Sequence, residues 1–273
     1  MLDRQGQIRR GPLLLHSHAG PTIFKGDASG LRVGPHPHIG LQTFTWMIEG
    51  EVLHRDSLGH EQVIRPGQVN LMTAGRGISH TEESVPGETH LHAAQLWIAL
   101  PESARQIAPR FDHYPDLPHW EEHGVDLTLL TGEFAGHQAP TLAFSALVGL
   151  DIAGRQAGDV TLPLREDFEH GLLPLEGELD IEGTRFAPNE MAYLGRGRSS
   201  VTLSLPAGGR TILVGGEPLG EEIWIWWNFV GHSKAEIAEA QRDWERGSDR
   251  FGTISGYDGE RLMPPPLPWK IQS

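Results

Sequence analysis

The chain has 273 residues, a formal net charge of -14 and no cysteine. Those values exclude disulfides, thiolate metal sites and cysteine nucleophiles, and without a basic stripe they argue against a protein that neutralises nucleic-acid phosphates. With 34 Gly and 20 Pro and few long helical patterns, the composition indicates many short strands joined by tight turns, on a chain long enough for two domains.

The first segment, RQGQIRR at residues 4–10, is a short basic arm rather than a binding stripe. It contains no apolar core of signal-peptide type, and nothing further on approaches about 18 continuous apolar residues. The expectation is an unexported, cytoplasmic protein with no membrane contact. RVGPHPHIGLQTF (32–44) carries two histidines around a proline inside an alternating, strand-like run. LQTFTWMI alternates, EGEV turns, and QVIRPGQVNLMTAG reads as strand, Pro-Gly turn, strand. HAAQLWIAL is a further strand, closed by Pro101. The polar stretch 110–124 reads as a linker. Strands resume at VDLTLLTG (125–132) and TLAFSALVGLDI (141–152).

The pattern then repeats. WMIEGEV (46–52) is echoed by LPLEGEL (173–179), and RPGQVNLMTAGRG (65–77) by APNEMAYLGRG (187–197). Two echoes in the same order indicate an internal duplication, each copy about the size of one small barrel or double-sheet roll. EEIWIWWNFV reads as a Trp-rich strand. After it, Ser233 is a candidate N-cap with Glu236 three residues on, and KAEIAEAQRDWERG has helical periodicity with Gly247 as its stop. Ile237, Ala240, Gln241 and Trp244 share one face of that helix. The tail with MPPPLPW reads as a packed or frayed loop rather than a ligand for an SH3-like partner. The division expected is 1–118 for the first domain, 119–230 for the second, and 231–273 for the helix and tail.

Residues two apart in a strand share a face, so His36 and His38 lie on the same side with Cα atoms about 7 Å apart. Pro35 and Pro37 stiffen the segment and keep it extended. His80 and Glu82, in GRGISHTEES, show the same spacing just after a Gly-Arg-Gly turn. If the two strands are neighbours, three imidazoles and one carboxylate converge, a donor set suited to Fe(II), Mn(II), Ni(II), Cu(II) or Zn(II). With 15 histidines in the chain, an isolated H-x-H is more often polar decoration, and THLHAA supplies a second example in His90 and His92. The duplication separates these readings. Alignment on the E-G-E turns sets Pro163 and Arg165 against His36 and His38. Alignment on the G-R-G turns sets Ser200 and Thr202 against His80 and Glu82. One copy has a full ligand set and the other has none, so one metal site is expected. Arg76 and Arg196 occur in both G-R-G turns and read as structural.

HPHIG together with MTAGRGISHTE, the QLWIALP strand and the C-terminal strand-plus-helix resemble the pirin family of the cupin superfamily over nearly the whole chain. The resemblance implies an all-β fold of two tandem cupin barrels of jelly-roll type with a short C-terminal helix. It also implies one mononuclear Fe(II) in the N-terminal barrel, held by His36, His38, His80 and Glu82. The general cupin pattern offers a carboxylate four residues after the second histidine. Gln42 stands there, which leaves Glu82 as the oxygen ligand, as in pirins.

Bacterial pirin-like proteins are similar to quercetin 2,3-dioxygenases, which open a flavonol ring with O2. The implied chemistry is deprotonation of the substrate hydroxyl with Glu82 as ligand and base. Phe44, Trp46, Met72 and Trp97 are candidates to hold a flat polyphenol on inward faces, or else form ordinary core. His92 is a candidate donor behind the ligands, or else structural. The other reading is an iron-dependent regulatory protein that binds partners such as transcription factors without catalysis, through protein rather than DNA contact.

Overall fold

In the computed structural model residues 7–8, 13–24 and 30–269 are described, and they form two compact units. The first comprises the described parts of Met1–Arg9, Leu14–Pro115 and Gly220–Ser273, and the second those of Arg10–Leu13 and Asp116–Leu219. Both are built of strands. Among the described residues there is one α-helix, Lys234–Glu245. Most of the basic arm lies outside the described residues, apart from Gln7–Ile8, which pairs with Ile223–Trp226.

The first unit is a jelly-roll-like pair of open sheets. One runs in the order Arg110–Tyr114, Val69–Thr73, Leu41–Glu49, His90–Ala99, Leu13–Ile23. The other runs Arg32–His38, Ile78–Ser84, Val52–Asp56, Glu61–Ile64. The strand with Pro35 and Pro37 is therefore an edge strand, where a missing backbone N–H breaks no ladder.

Register decides which side chains face the second sheet. Thr43 lies between Met72 and Trp97, and Thr45 between Asn70 and Gln95. Trp97 meets His38, and Gln95 meets Glu82, both across the gap between sheets. That row is the inner face. Phe44 is flanked by Leu71 and Leu96, and Trp46 by Val69 and Ala94, so both point the opposite way. Of the four candidate aromatic and apolar wall residues, only Met72 and Trp97 are on the inner face. His92 shares the outer face with Ala94 and Leu96, because strand pleating returns every second residue to one side. It is buried there, away from the histidine cluster.

The stretch 110–124 is not a linker. Arg110–Tyr114 is the edge strand of the first unit and His119–Glu122 a strand of the second. Its polarity reflects the edge position of both strands: Phe111 turns inward in the first, stacked on His54 at 4.4 Å between ring centroids, and Trp120 packs on the core of the second unit. Similarly, 141–152 is strand only from Leu147, and EEIWIWWNFV is a hairpin, Ile223–Trp226 with Phe229–Gly231, rather than one strand. Its turn holds Trp227 at φ +51.

The hairpin packs beneath the helix. Ser233 Oγ accepts the Glu236 N–H at 3.1 Å, and Gly247 follows the last turn at φ +70. Ile237, Ala240 and Trp244 pack with Phe229, Phe251 and Ile39. Each phenylalanine so buried contributes about 1.5–3 kcal/mol of transfer free energy. The described tail is mostly exposed but anchored by hydrogen bonds: Leu262 N–H donates to Pro35 O, and Trp244 Nε1–H to Leu262 O.

In the second unit a sheet ordered His119–Glu122, Val125–Phe134, Leu147–Gly154, Arg210–Gly216, Glu169–Glu176, Ala192–Gly195 accompanies one ordered Gly158–Pro163, Ser200–Leu205, Leu179–Ile181, Thr184–Phe186. Its core is aliphatic, with Leu129, Leu150, Leu172, Val201 and Leu203 around Phe168. The duplication is visible in the ladder. Pro163 pairs with Ser200 in the second unit as His36 pairs with His80 in the first. The E-G-E turns also agree, with Gly50 at φ +82 and Gly177 at φ +72. A Cβ on Gly50 would sit 2.2 Å from His90 O, so both backbone sign and space require glycine there.

Candidate metal centre

The HPH strand meets its neighbour with one irregularity. Val33 pairs with Glu82 and His36 with His80, which leaves one extra residue on the proline side. This bulge brings His36 directly opposite His80, the closest relation two strands offer, and places His38 diagonally across. The imidazole centroids lie 4.2 Å apart for His36 and His80, 5.0 Å for His38 and His80, and 5.1 Å for His36 and His38. All three rings are buried, and their ligand nitrogens lie within 4.8 Å of one another.

Each ring is oriented from behind. His36 Nδ1 faces Gly34 O at 2.9 Å, and His38 Nδ1 faces Asn228 O at 3.1 Å. A carbonyl only accepts, so both Nδ1 atoms carry hydrogen and both Nε2 atoms present lone pairs. His38 Nε2 then lies 3.1 Å from His80 Nε2. Two ring nitrogens aimed at each other in a dry interior are well matched by a cation placed between them. Burial, with His36, His38 and His54 adding to it as neighbouring potential cations, pushes the His80 pKa well below the ordinary imidazole value. The ring is therefore neutral, which metal ligation requires.

Glu82 lies one pleat further along the same strand, opposite Val33 and outside the group formed by the three imidazoles. Its Oε1 accepts Gln95 Nε2–H at 2.9 Å. Removal from water raises its carboxyl to about 7, and the Gln95 hydrogen bond partly offsets this. The structure thus brings His36, His38 and His80 together and sets Glu82 at their edge, held by Gln95.

Several groups at the site are not evident from the H-P-H and H-T-E motifs. Gln95 comes from the facing sheet and the Asn228 carbonyl from the Trp-rich turn. His54 and Asp56 lie on the strand beside His80, with His54 Nδ1 3.3 Å from His80 Nδ1. The alternation in LHRDS, with His54 and Asp56 two apart, is the signal that points to this pair. Gln42 sits on the outer face, donating to Thr73 Oγ1 at 3.0 Å, so the vacant general carboxylate position is away from the centre. The turn that leads into His80 is braced from the C-terminal segment: Arg250 Nε–H donates to Arg76 O at 2.7 Å, and Ser79 Oγ–H to Phe251 O at 2.8 Å. In the second unit, among the described residues, no comparable ligand group exists. Also among the described residues, no helix is long and apolar enough to cross a membrane.

The sequence matches the family profile described as Pirin over residues 3–98 and the Pirin C-terminal cupin domain over residues 149–252. It is 36% identical over 244 residues to a pirin-like protein of Caulobacter vibrioides, covering 87% of this chain and 84% of that protein. The chain belongs to the pirin family. A second relative, from Pseudomonas aeruginosa and named "Putative quercetin 2,3-dioxygenase PA1205", is 62% identical over 256 residues, covering 94% of this chain and 81% of that protein. The fold matches a crystal structure of quercetin 2,3-dioxygenase from Acinetobacter baumannii with a TM-score of 0.93 at 46% identity, covering 96% of this chain and 88% of that one. Two cupin domains of jelly-roll type are therefore the architecture of this pirin, and its buried histidine triad has the donor chemistry of a metal site.

Proposed function

We propose that this pirin is a metal-dependent dioxygenase that opens a flavonol-type ring with O2, its single ion, Fe(II), held by His36, His38, His80 and Glu82. The observation that carries the reading is the buried group of three imidazoles, with ligand nitrogens within 4.8 Å of one another and two of the rings turned Nε2-inward by backbone carbonyls. The names of the similar Pseudomonas and Acinetobacter proteins support the substrate class. A bound divalent ion supplies Lewis acidity toward an enolic hydroxyl and one-electron chemistry toward O2.

The chain's own residues supply the rest. Glu82, with one oxygen engaged by Gln95, uses the other to accept the hydroxyl proton of the substrate. Trp97 and Met72 on the inner face give a flat apolar wall for an aromatic ring. The buried rings and the facing sheet keep bulk water from the reacting atoms. Residues of the second unit contribute no ligand in this scheme, since Pro163 and Ser200 occupy the matching ladder positions.

The test is O2 uptake by anaerobically prepared, Fe(II)-loaded protein on addition of quercetin, beside His80→Ala. Turnover that disappears in the variant together with its iron supports the proposal. Fully loaded protein that consumes no O2 with quercetin refutes the dioxygenase role. Capture of a purified transcription factor by that inactive protein would then favour the regulatory reading.

A further inference from the structure

We infer that His54 and Asp56 are positioning residues for the metal centre, fixing the tautomer of His80 so that its Nε2 lone pair faces the ion. The inference rests on the reading of His80 as a ligand. Metal-bound histidines hold their ring orientation by donating the second ring N–H to an acceptor. His36 and His38 do so to the carbonyls of Gly34 and Asn228. For His80 the partner in that place is another imidazole, His54, at 3.3 Å between the two Nδ1 atoms. A ring nitrogen can be donor or acceptor, so that contact alone does not set a direction.

Asp56 sets it. Its Oδ1 accepts the backbone N–H groups of Leu58 and His60 at 2.9 and 3.0 Å. Its Oδ2 faces His60 Nδ1 at 2.9 Å and His54 Nε2 at 3.4 Å. A carboxylate with this many donors aimed at it is an acceptor toward every one of them. His54 must then donate from Nε2, its Nδ1 is left as an acceptor, and His80 must donate from Nδ1. His80 Nε2 is thereby a lone pair on the side of His36 and His38. The ring of His54 is kept in plane for this by the Phe111 ring, stacked at an interplanar angle of 14°. Strand register puts the parts in place, since His54 pairs with Glu82 and Asp56 with His80.

The experiment is titration of metal-stripped, full-length protein with Co(II) against a competing chelator, together with two-bond 15N–1H spectra of the Zn(II)-loaded protein. His54→Leu is expected to lower Co(II) affinity about 10–100-fold. His54→Gln, whose amide oxygen can accept from His80 Nδ1–H, should recover most of that loss, which a merely structural role would not produce. The spectra of the unaltered protein should show His54 protonated at Nε2 alone. His54 protonated at Nδ1 would overturn the inference even if His54→Leu fails to fold. So would wild-type affinity in His54→Leu while His80→Ala loses the metal. Retention of the metal by His80→Ala would instead refute the ligand assignment itself.

Discussion

Gln95 is the residue through which the facing sheet acts on the carboxylate of the centre, and Gln95→Leu isolates that action. The side chains are similar in volume, so no cavity forms; the donor to Glu82 Oε1 at 2.9 Å is lost, together with a long 3.4 Å contact to Thr45 Oγ1. A hydrogen bond to a charged group is worth about 1.5–3 kcal/mol. Burial raises the metal-free Glu82 carboxyl to about 7, so near neutral pH part of the population is protonated and the low end applies. About 1.5 kcal/mol corresponds to roughly a tenfold weaker metal complex, because the ionised carboxylate is the form that binds. The assay is anaerobic Fe(II) competition against a chromogenic chelator, with a thermal melt of the metal-free protein alongside. The melt should scarcely move, since metal-free Glu82 can take up a proton when its donor is removed. Affinity within about twofold of wild type would show that Gln95 does not act on a ligand, and would count against Glu82 as the fourth donor.

Three further outcomes are expected. Ser200→Ala and Thr202→Ala should leave metal content by elemental analysis unchanged, whereas Glu82→Ala should lower it; equal loss in all three would contradict a single centre. Gly40 has φ +68 and a Cβ there would sit 2.1 Å from Val230 O, whereas Gly59 at φ +90 has open space around it. Gly59→Ala should cost about 1–2 kcal/mol for its left-handed backbone and Gly40→Ala more than about 4 kcal/mol in urea unfolding; equal costs would remove steric contact as the cause. Burial alone would raise the Asp243 carboxyl, but hydrogen bonds from Arg250 and Arg246 outweigh it and hold the pKa below the ordinary value of 3.8. A depressed carboxylate stabilises the fold above its unfolded pKa, and the contribution is lost as pH falls through the folded pKa. Asp243→Asn should therefore cost about 1 kcal/mol at pH 7 and flatten the decline of stability in acid; an acid limb identical to wild type would refute this.

Much of the first unit's ladder was legible because alternation and turn residues are local properties. The strands from Leu41 to Ala99, the helix with its Ser233 cap and the duplicated E-G-E turns all appear where pattern places them. The stretch 110–124 has the composition of a linker because each of its two edge strands turns one aromatic side chain inward, Phe111 in the first and Trp120 in the second. For Phe44, Trp46 and His92 pattern leaves wall and core both open, because alternation says that residues share a face without saying which face the partner sheet covers; the core reading is the one the register selects.

Spacing alone determined that His36 pairs in direction with His38 and His80 with Glu82, since a pleated backbone repeats every two residues whatever surrounds it. It also determined that the second copy lacks ligands, because no side chain of Pro163 or Ser200 can replace an imidazole. Tertiary structure decided the rest. The bulge after Val33 sets His36 against His80 and leaves Glu82 one pleat away, and the carbonyl of Asn228, the amide of Gln95 and the His54–Asp56 pair arrive from segments distant in sequence. Such contacts depend on strand register and on which sheet faces which, and neither is encoded in the periodicity of any one strand.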